Sequence, residues 1–301
     1  MQETKSKVKK GFNMRFFFLL RVHHWPKNLF IFIPAFFAGV LVDKLIFWLL
    51  IQGLFCFCLV SSAVYIVNDY RDIEKDRQHP IKKNRPLASG RVSPVLALIL
   101  AGLLLAIALP WGFVLEPYFG FSILTYLVLN ILYSVWLKNI AILDTLIVSS
   151  GFLIRTLSGG WLADVAISQW LVIMVFLLSF FLATAKRRDD LILFQSGQAP
   201  LRTSSKKYTL EFINTILSVL AGVIIVSYIM YTISEEVVSR HHTPHLYVTA
   251  LFVFAGLIRF LQITMVENRS GSPMRIFLTD TFIQITIALW ILCFFIIIYI
   301  I

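Results

Sequence analysis

An α-helix needs roughly 20 consecutive apolar residues to cross a bilayer, and such stretches recur in this sequence from end to end. They lie near residues 28–42, 45–67, 94–113, 119–137, 141–163, 168–185, 210–232, 246–265 and 276–299. Hydrocarbon offers backbone N–H and C=O groups no partner, so spanning segments must be helices or closed barrels. Stretches of this length predict an all-α polytopic membrane protein with about nine transmembrane helices. The first is the shortest and is interrupted by Pro34. Composition agrees: 58% of the 301 residues are hydrophobic and 27 are Phe, well above the apolar share of soluble domains. A cytoplasmic and interfacial N-terminal segment, 1–27, is expected to precede a single transmembrane catalytic domain at 28–301.

The net charge of +11 raises the question of nucleic acid, and the placement of the charge answers it. With nine spans and the N-terminus inside, 23 of the 27 Lys and Arg fall in cytoplasmic segments, including seven in 1–27, seven in 68–93 and six in 186–209. This is the positive-inside distribution of a bacterial-type inner membrane protein, so no nucleic-acid partner is expected. The opening MQETKSKVKK lacks the apolar core and cleavage site of a secretory signal, and the first span is expected to stay. Cys56, Cys58 and Cys293 are odd in number, lie within spans and lack metal-ligand spacing, which predicts packing roles. His241, His242 and His245 fall in an outer loop interrupted by Pro244, and an interfacial loop is expected there rather than a metal site.

The longest charged run is NDYRDIEKDRQHPIKKNRPLASGR at 68–91. Asn68, Asp69, Asp72 and Asp76 lie within roughly a third of the circumference of a helix, forming one oxygen-rich stripe. Cations follow, among them Lys83 and Arg85. Carboxylate oxygens suit magnesium, and adjacent cations suit a phosphorylated substrate. The helix is expected to end near His79-Pro80, because a residue before proline is pushed out of the helical region. A solvated loop is the plainer alternative for charge in general, but four metal-competent groups on one face favour the magnesium reading.

Further candidates lie elsewhere. Residues 11–27 mix Phe and Leu with Arg21, His23, His24, Trp25 and Lys27. That pattern fits a helix lying in the headgroup region or a phosphate held by Arg21, Lys27 and Asn28 at the membrane entry. Tyr133 and Lys138 fall at a cytoplasmic boundary, and Asp144 opens the next span. Arg155 is eleven residues beyond Asp144, roughly 16 Å along a helix and near mid-membrane. An arginine at that depth faces a polar partner or cavity. The glycines and serines around it, including Gly159 and Gly160, allow close helix approach. A second charged helix end, AKRRDDL at 185–191, carries Lys186, Arg187 and Asp190, about four helices after the first.

These residues carry a resemblance. NDYRDIEKD at 68–76, RPLASG at 85–90, YSVWLK at 133–138 and the charged end of span 6 resemble the UbiA superfamily of intramembrane prenyltransferases over nearly the whole chain. Within it, RVHHWPKN at 21–28, SSGFLIRTLSGG at 149–160 and AKRRDDL are similar to the decaprenyl-phosphate phosphoribosyltransferase branch. The resemblance implies a UbiA-type bundle around a central cavity and transfer of 5-phosphoribose from phosphoribosyl diphosphate to a polyprenyl phosphate lipid. It implies Mg2+ held by Asn68, Asp69, Asp72 and Asp76, and catalytic roles for Asp72, Asp76, Lys138 and Arg155. Substrate contacts fall to Arg21, Lys27, Asn28, Lys83, Arg85, Tyr133, Asp144, Lys186, Arg187 and Asp190, and assembly as a homo-oligomer stays open.

Two alternatives stand beside this reading. An ordinary UbiA-type prenyltransferase shares the first motif, but its second motif has DxxxD spacing, whereas here Asp189 and Asp190 are adjacent and Leu193 stands four after Asp189. A transporter would also use an intramembrane arginine, yet the charge here sits in a cytoplasmic segment and no inverted halves are visible.

Overall fold

The computed structural model describes residues 16–79, 82–197, 204–267 and 273–300. Its regular structure is helical, with no strand among the described residues. Eight helices are long and apolar enough to cross a membrane: α1 Lys44–Arg71, α2 Pro94–Leu115, α3 Pro117–Val135, α4 Leu143–Ala163, α5 Gln169–Gln195, α6 Leu210–Ile233, α7 within His245–Met265 and α8 Thr281–Tyr299. The chain is a multi-pass membrane protein, and eight of the nine expected spans appear as continuous helices.

The stretch expected as the first span, 28–42, takes another form. It belongs to a 3-10 helix, Val22–Phe32, with Pro26 inside it, followed by a single α-helical segment, Ile33–Phe37. Each proline removes a backbone donor and clashes with the preceding turn, which disfavours one long α-helix here. Eleven residues of 3-10 helix rise about 22 Å, against about 16 Å for an α-helix. The histidine loop, expected on the outer side, also holds more structure than expected, with a helix at Glu235–His241 and a 3-10 turn at His245–Thr249.

Local chemistry sets the helix starts. Asp43 accepts bonds from the N–H groups of Leu45 and Ile46 at the start of α1 (2.8 and 3.1 Å). Glu116, Thr209 and Asp280 cap α3, α6 and α8 in the same way, satisfying donors that the first turn leaves without partners. Pro94 and Pro117 stand at the first helical positions, where a missing N–H carries no penalty.

The chain divides into two compact units. One comprises the residues up to Pro34, Asp43–Leu137 and Ile154–Val165. Here Leu19, Ala63, Ile66, Leu87, Val92, Ala97 and Ala101 form a buried cluster. Leu87 thereby pins the RPLASG loop, and Gly90 at φ 71° supplies the left-handed turn that leads it into α2. Cys56 and Cys58 are buried free thiols, as packing roles require. The other unit comprises Ala35–Val42, Lys138–Leu153 and Ala166–Ile301. Its core is built from α5 to α8, with Phe181, Leu191, Leu217, Phe260 and Ile283 among its members.

Candidate functional site

In the first unit, α1 ends at Asp72, which leaves helical geometry (φ −94°, ψ 7°), and the chain resumes as a short helix at Ile73–Arg77. Helical phase survives the break, because Asp72 N–H donates to Asn68 O (3.1 Å) and Asp76 N–H to Asp72 O (2.8 Å). The expected stripe is therefore kept in the backbone, but its carboxylates divide. Asp69 and Asp76 are buried and share Arg85, whose Nη1 donates to Asp69 Oδ1 (2.9 Å) and Asp76 Oδ2 (2.6 Å). Arg21 grips Asp69 from the other side, through Nη2 to Oδ1 (2.5 Å) and Nε to Oδ2 (3.2 Å). Asn68 and Asp72 are half-buried. Pro80, the expected helix stop, lies outside the described residues, as do residues 1–15 of the N-terminal segment.

Asp69 is one of the expected magnesium ligands. Both of its oxygens meet guanidinium groups, so it orders Arg21 and Arg85. No group of three or more His, Cys, Asp or Glu gathers at metal-holding distance among the described residues. Magnesium keeps water and phosphate oxygens and takes only one or two carboxylates from a protein. The hard oxygens of Asn68 and Asp72, one turn apart, fit that requirement, with Asp76 a further turn on.

A second group in this unit is built around Arg155. Its Nε donates to Asn28 Oδ1 (2.7 Å) and its Nη2 to the Tyr126 hydroxyl (2.8 Å), while the guanidinium lies 4.5 Å from the Tyr126 ring centroid. Asn28 is buried and turns its amide to Cys58 Sγ (3.2 Å) and Ser61 Oγ (3.3 Å). Asn28, expected as a substrate contact, thus stands between Arg155 on one side and Cys58 and Ser61 on the other. The 3-10 segment comes this close because Gly159 has no side chain: a Cβ there would fall 1.8 Å from the carbonyl oxygen of Ile31. Lys27 lies in the field of Arg155 and Arg21, and burial together with these cations lowers its pKa from 10.5 to about 8. Among the described residues no carboxylate bonds to Lys27.

The second unit holds a buried network. Asp144 and Arg187 are 1% and 3% exposed, with Arg187 Nε donating to Asp144 Oδ2 (2.7 Å) and Nη1 to Asp190 Oδ2 (2.8 Å). Ser204 Oγ also donates to Asp144 Oδ2 (3.0 Å). Lys186, next to Arg187 on α5, is exposed, Tyr133 is half-buried in the last turn of α3, and Lys83 and Lys138 are exposed and half-buried, respectively, at helix connections of the chain. Sequence reasoning missed Tyr126, Ser204 and Tyr208. A hydroxyl in mid-span was a usable signal for Tyr126, whereas Ser204 and Tyr208 stand in a connection without periodicity.

A helical membrane protein with an asparagine–aspartate helix end and an arginine-bridged acid pair has a defined class. Residues 29–191 match the UbiA prenyltransferase family, and the chain belongs to that family of membrane transferases. The decaprenyl-phosphate phosphoribosyltransferase of Mycolicibacterium smegmatis is 33% identical over 240 residues, covering 78% of this chain and 76% of that protein. The protein of the same name from Corynebacterium glutamicum is 27% identical over 291 residues, covering 93% and 86%. The fold matches a UbiA homolog from Archaeoglobus fulgidus bound to DMAPP and Mg2+, with a TM-score of 0.70 at 16% identity over 95% of this chain and all of that one. The resemblance seen at the motifs thus holds for the family and for the branch that its relatives name.

Proposed function

We propose that this protein transfers 5-phosphoribose from phosphoribosyl diphosphate to a polyprenyl phosphate, releasing diphosphate, at the cytoplasmic face of a bacterial inner membrane. The observation that carries this reading is Lys27, which lies in the field of Arg155 and of the Asp69-bound Arg21 and meets no carboxylate among the described residues. Like charges brought together in a poorly solvated setting are unfavourable unless an anion joins them, and the phosphate of a lipid acceptor is such an anion. The names of the relatives support the choice of donor and acceptor.

Asn68 and Asp72, with Asp76, would hold magnesium, which supplies charge neutralisation to a bound diphosphate. Arg85, fixed by Asp69 and Asp76, stabilises charge that develops on the leaving diphosphate. Lys27 and Arg155 hold the acceptor phosphate, and Asn28 and Tyr126 keep Arg155 in place. A phosphate oxygen of the acceptor forms a bond to the anomeric carbon as the bond from that carbon to the diphosphate oxygen breaks. The second pKa of a phosphate monoester is about 6, so the nucleophile is already ionised and needs no strong base.

The test is a membrane assay with labelled phosphoribosyl diphosphate and polyprenyl phosphate, with and without magnesium. Label is expected in the lipid phase, dependent on both the acceptor and the metal. Label that stays aqueous, while a prenyl diphosphate is consumed with an aromatic acceptor, would replace this reading with prenyl transfer.

A further inference from the structure

The turn that leads into α4 carries a strained residue. Ile142 sits at φ 71°, a left-handed conformation that β-branched side chains rarely adopt. Strained backbone persists where neighbours over-determine it, and such places cluster at functional sites. Here the neighbour is Tyr208, just before α6. Its hydroxyl accepts the Ile142 N–H (2.5 Å) and faces Asp144 Oδ1 at 3.4 Å. Ile142 O in turn accepts from Thr145 Oγ1 (2.8 Å). Burial pushes the Tyr208 phenol above its ordinary range, so the group keeps its proton at neutral pH and can donate to the carboxylate while accepting from the amide.

We infer that Tyr208 is a positioning residue: its hydroxyl clasps the strained Ile142 turn, fixes Asp144 with the help of Ser204, and through Asp144 sets Arg187 and the end of α5. The exposed Lys186 and the partly exposed Asp190 stand on that helix end, where a water-soluble sugar phosphate can meet them. Tyr208 touches no reacting atom; it acts by holding Asp144 and Arg187, and the assignment to the donor rests on the proposed phosphoribosyl transfer. A filler role would be served equally by phenylalanine. A clasp would not, because the hydroxyl makes both contacts.

Two measurements on full-length protein in membranes or detergent test this. The first needs no substrate: in Tyr208→Phe, hydrogen exchange of amides 142–146 should quicken about tenfold, with the rest of α4 unchanged. The second is kinetic. Tyr208→Phe should raise KM for phosphoribosyl diphosphate about tenfold, leaving KM for polyprenyl phosphate unchanged and kcat within about twofold. Adding Ile142→Gly should restore most of the donor affinity, since glycine takes the left-handed turn without strain. Unchanged exchange, or an unchanged donor KM in a protein that turns the donor over, overturns the inference, as does equal damage to both KM values. A wild-type protein that does not use phosphoribosyl diphosphate rejects the proposed function and the donor role of the clasp together. Faster exchange in that same protein would leave the contact between Tyr208 and the turn standing by itself.

Discussion

The two charged helix ends share an alternation of acid and base and use it differently. At the end of α1, Arg85 links Asp69 and Asp76, while Asn68 and Asp72 remain half-buried and a cationic group forms around Lys27. At the end of α5, Arg187 is 3% exposed and sits between Asp144 and Asp190. A charge that reaches solvent can exchange water for a ligand, whereas a buried pair with both partners engaged resists that exchange because separation leaves a charge uncompensated. The first cluster therefore suits binding and the second suits positioning, although the sequence marks both alike.

The division is broken most directly at Asp72. Asp72→Asn should lower magnesium-dependent turnover by about a thousandfold, the scale of several kcal/mol in metal-assisted charge stabilisation, and leave thermal unfolding in detergent unchanged. Retained turnover would remove the first cluster from the chemistry. The converse holds at Asp144. Asp144→Ala takes from the buried Arg187 one of its two carboxylate partners, leaving Asp190, and should cost about 3 kcal/mol of stability, read as a lower unfolding midpoint before any kinetic effect is considered. If that variant keeps its stability and loses only turnover, the roles assigned to the two clusters are reversed. A smaller effect is expected at Gly159. Alanine there meets the carbonyl of Ile31 rather than a yielding side chain, and overpacking of this kind costs about 1–3 kcal/mol. Acceptor KM should rise with it, because Asn28 shifts away from Arg155.

Much of the fold was legible because hydrophobic length and proline position act locally. Eight spans appear where apolar runs predict them, and the first expected span, 28–42, fails as one long helix, with Pro34 already marked in it and Pro26 just before it. The site was legible only along a single helix. Spacing placed Asn68, Asp72 and Asp76 one turn apart, and the backbone bonds of Asp72 and Asp76 keep that register. Pairings across the chain were not legible. Asp69 is taken by Arg21, 48 residues away, and Asn28 serves Arg155 across 127 residues. Local periodicity carries no information on either partner, so the sequence names both residues without showing the arginines they meet.

Lys27 sharpens the comparison through pH. Burial, then Arg155 and Arg21, lower its pKa to about 8, so it is mostly cationic at pH 7 and mostly neutral at pH 9. Capture of an acceptor phosphate through Lys27 should weaken as pH rises through 8, with acceptor KM climbing about tenfold and donor KM flat. Stability should move the other way. The folded pKa lies below the unfolded value of 10.5, so between about 8 and 10.5 the unfolded chain binds more protons and stability rises with pH. Lys27→Arg, which stays charged throughout, should flatten the acceptor profile. An acceptor KM that keeps its pH dependence in Lys27→Arg would assign the titration to another group and leave Arg155 as the principal phosphate contact.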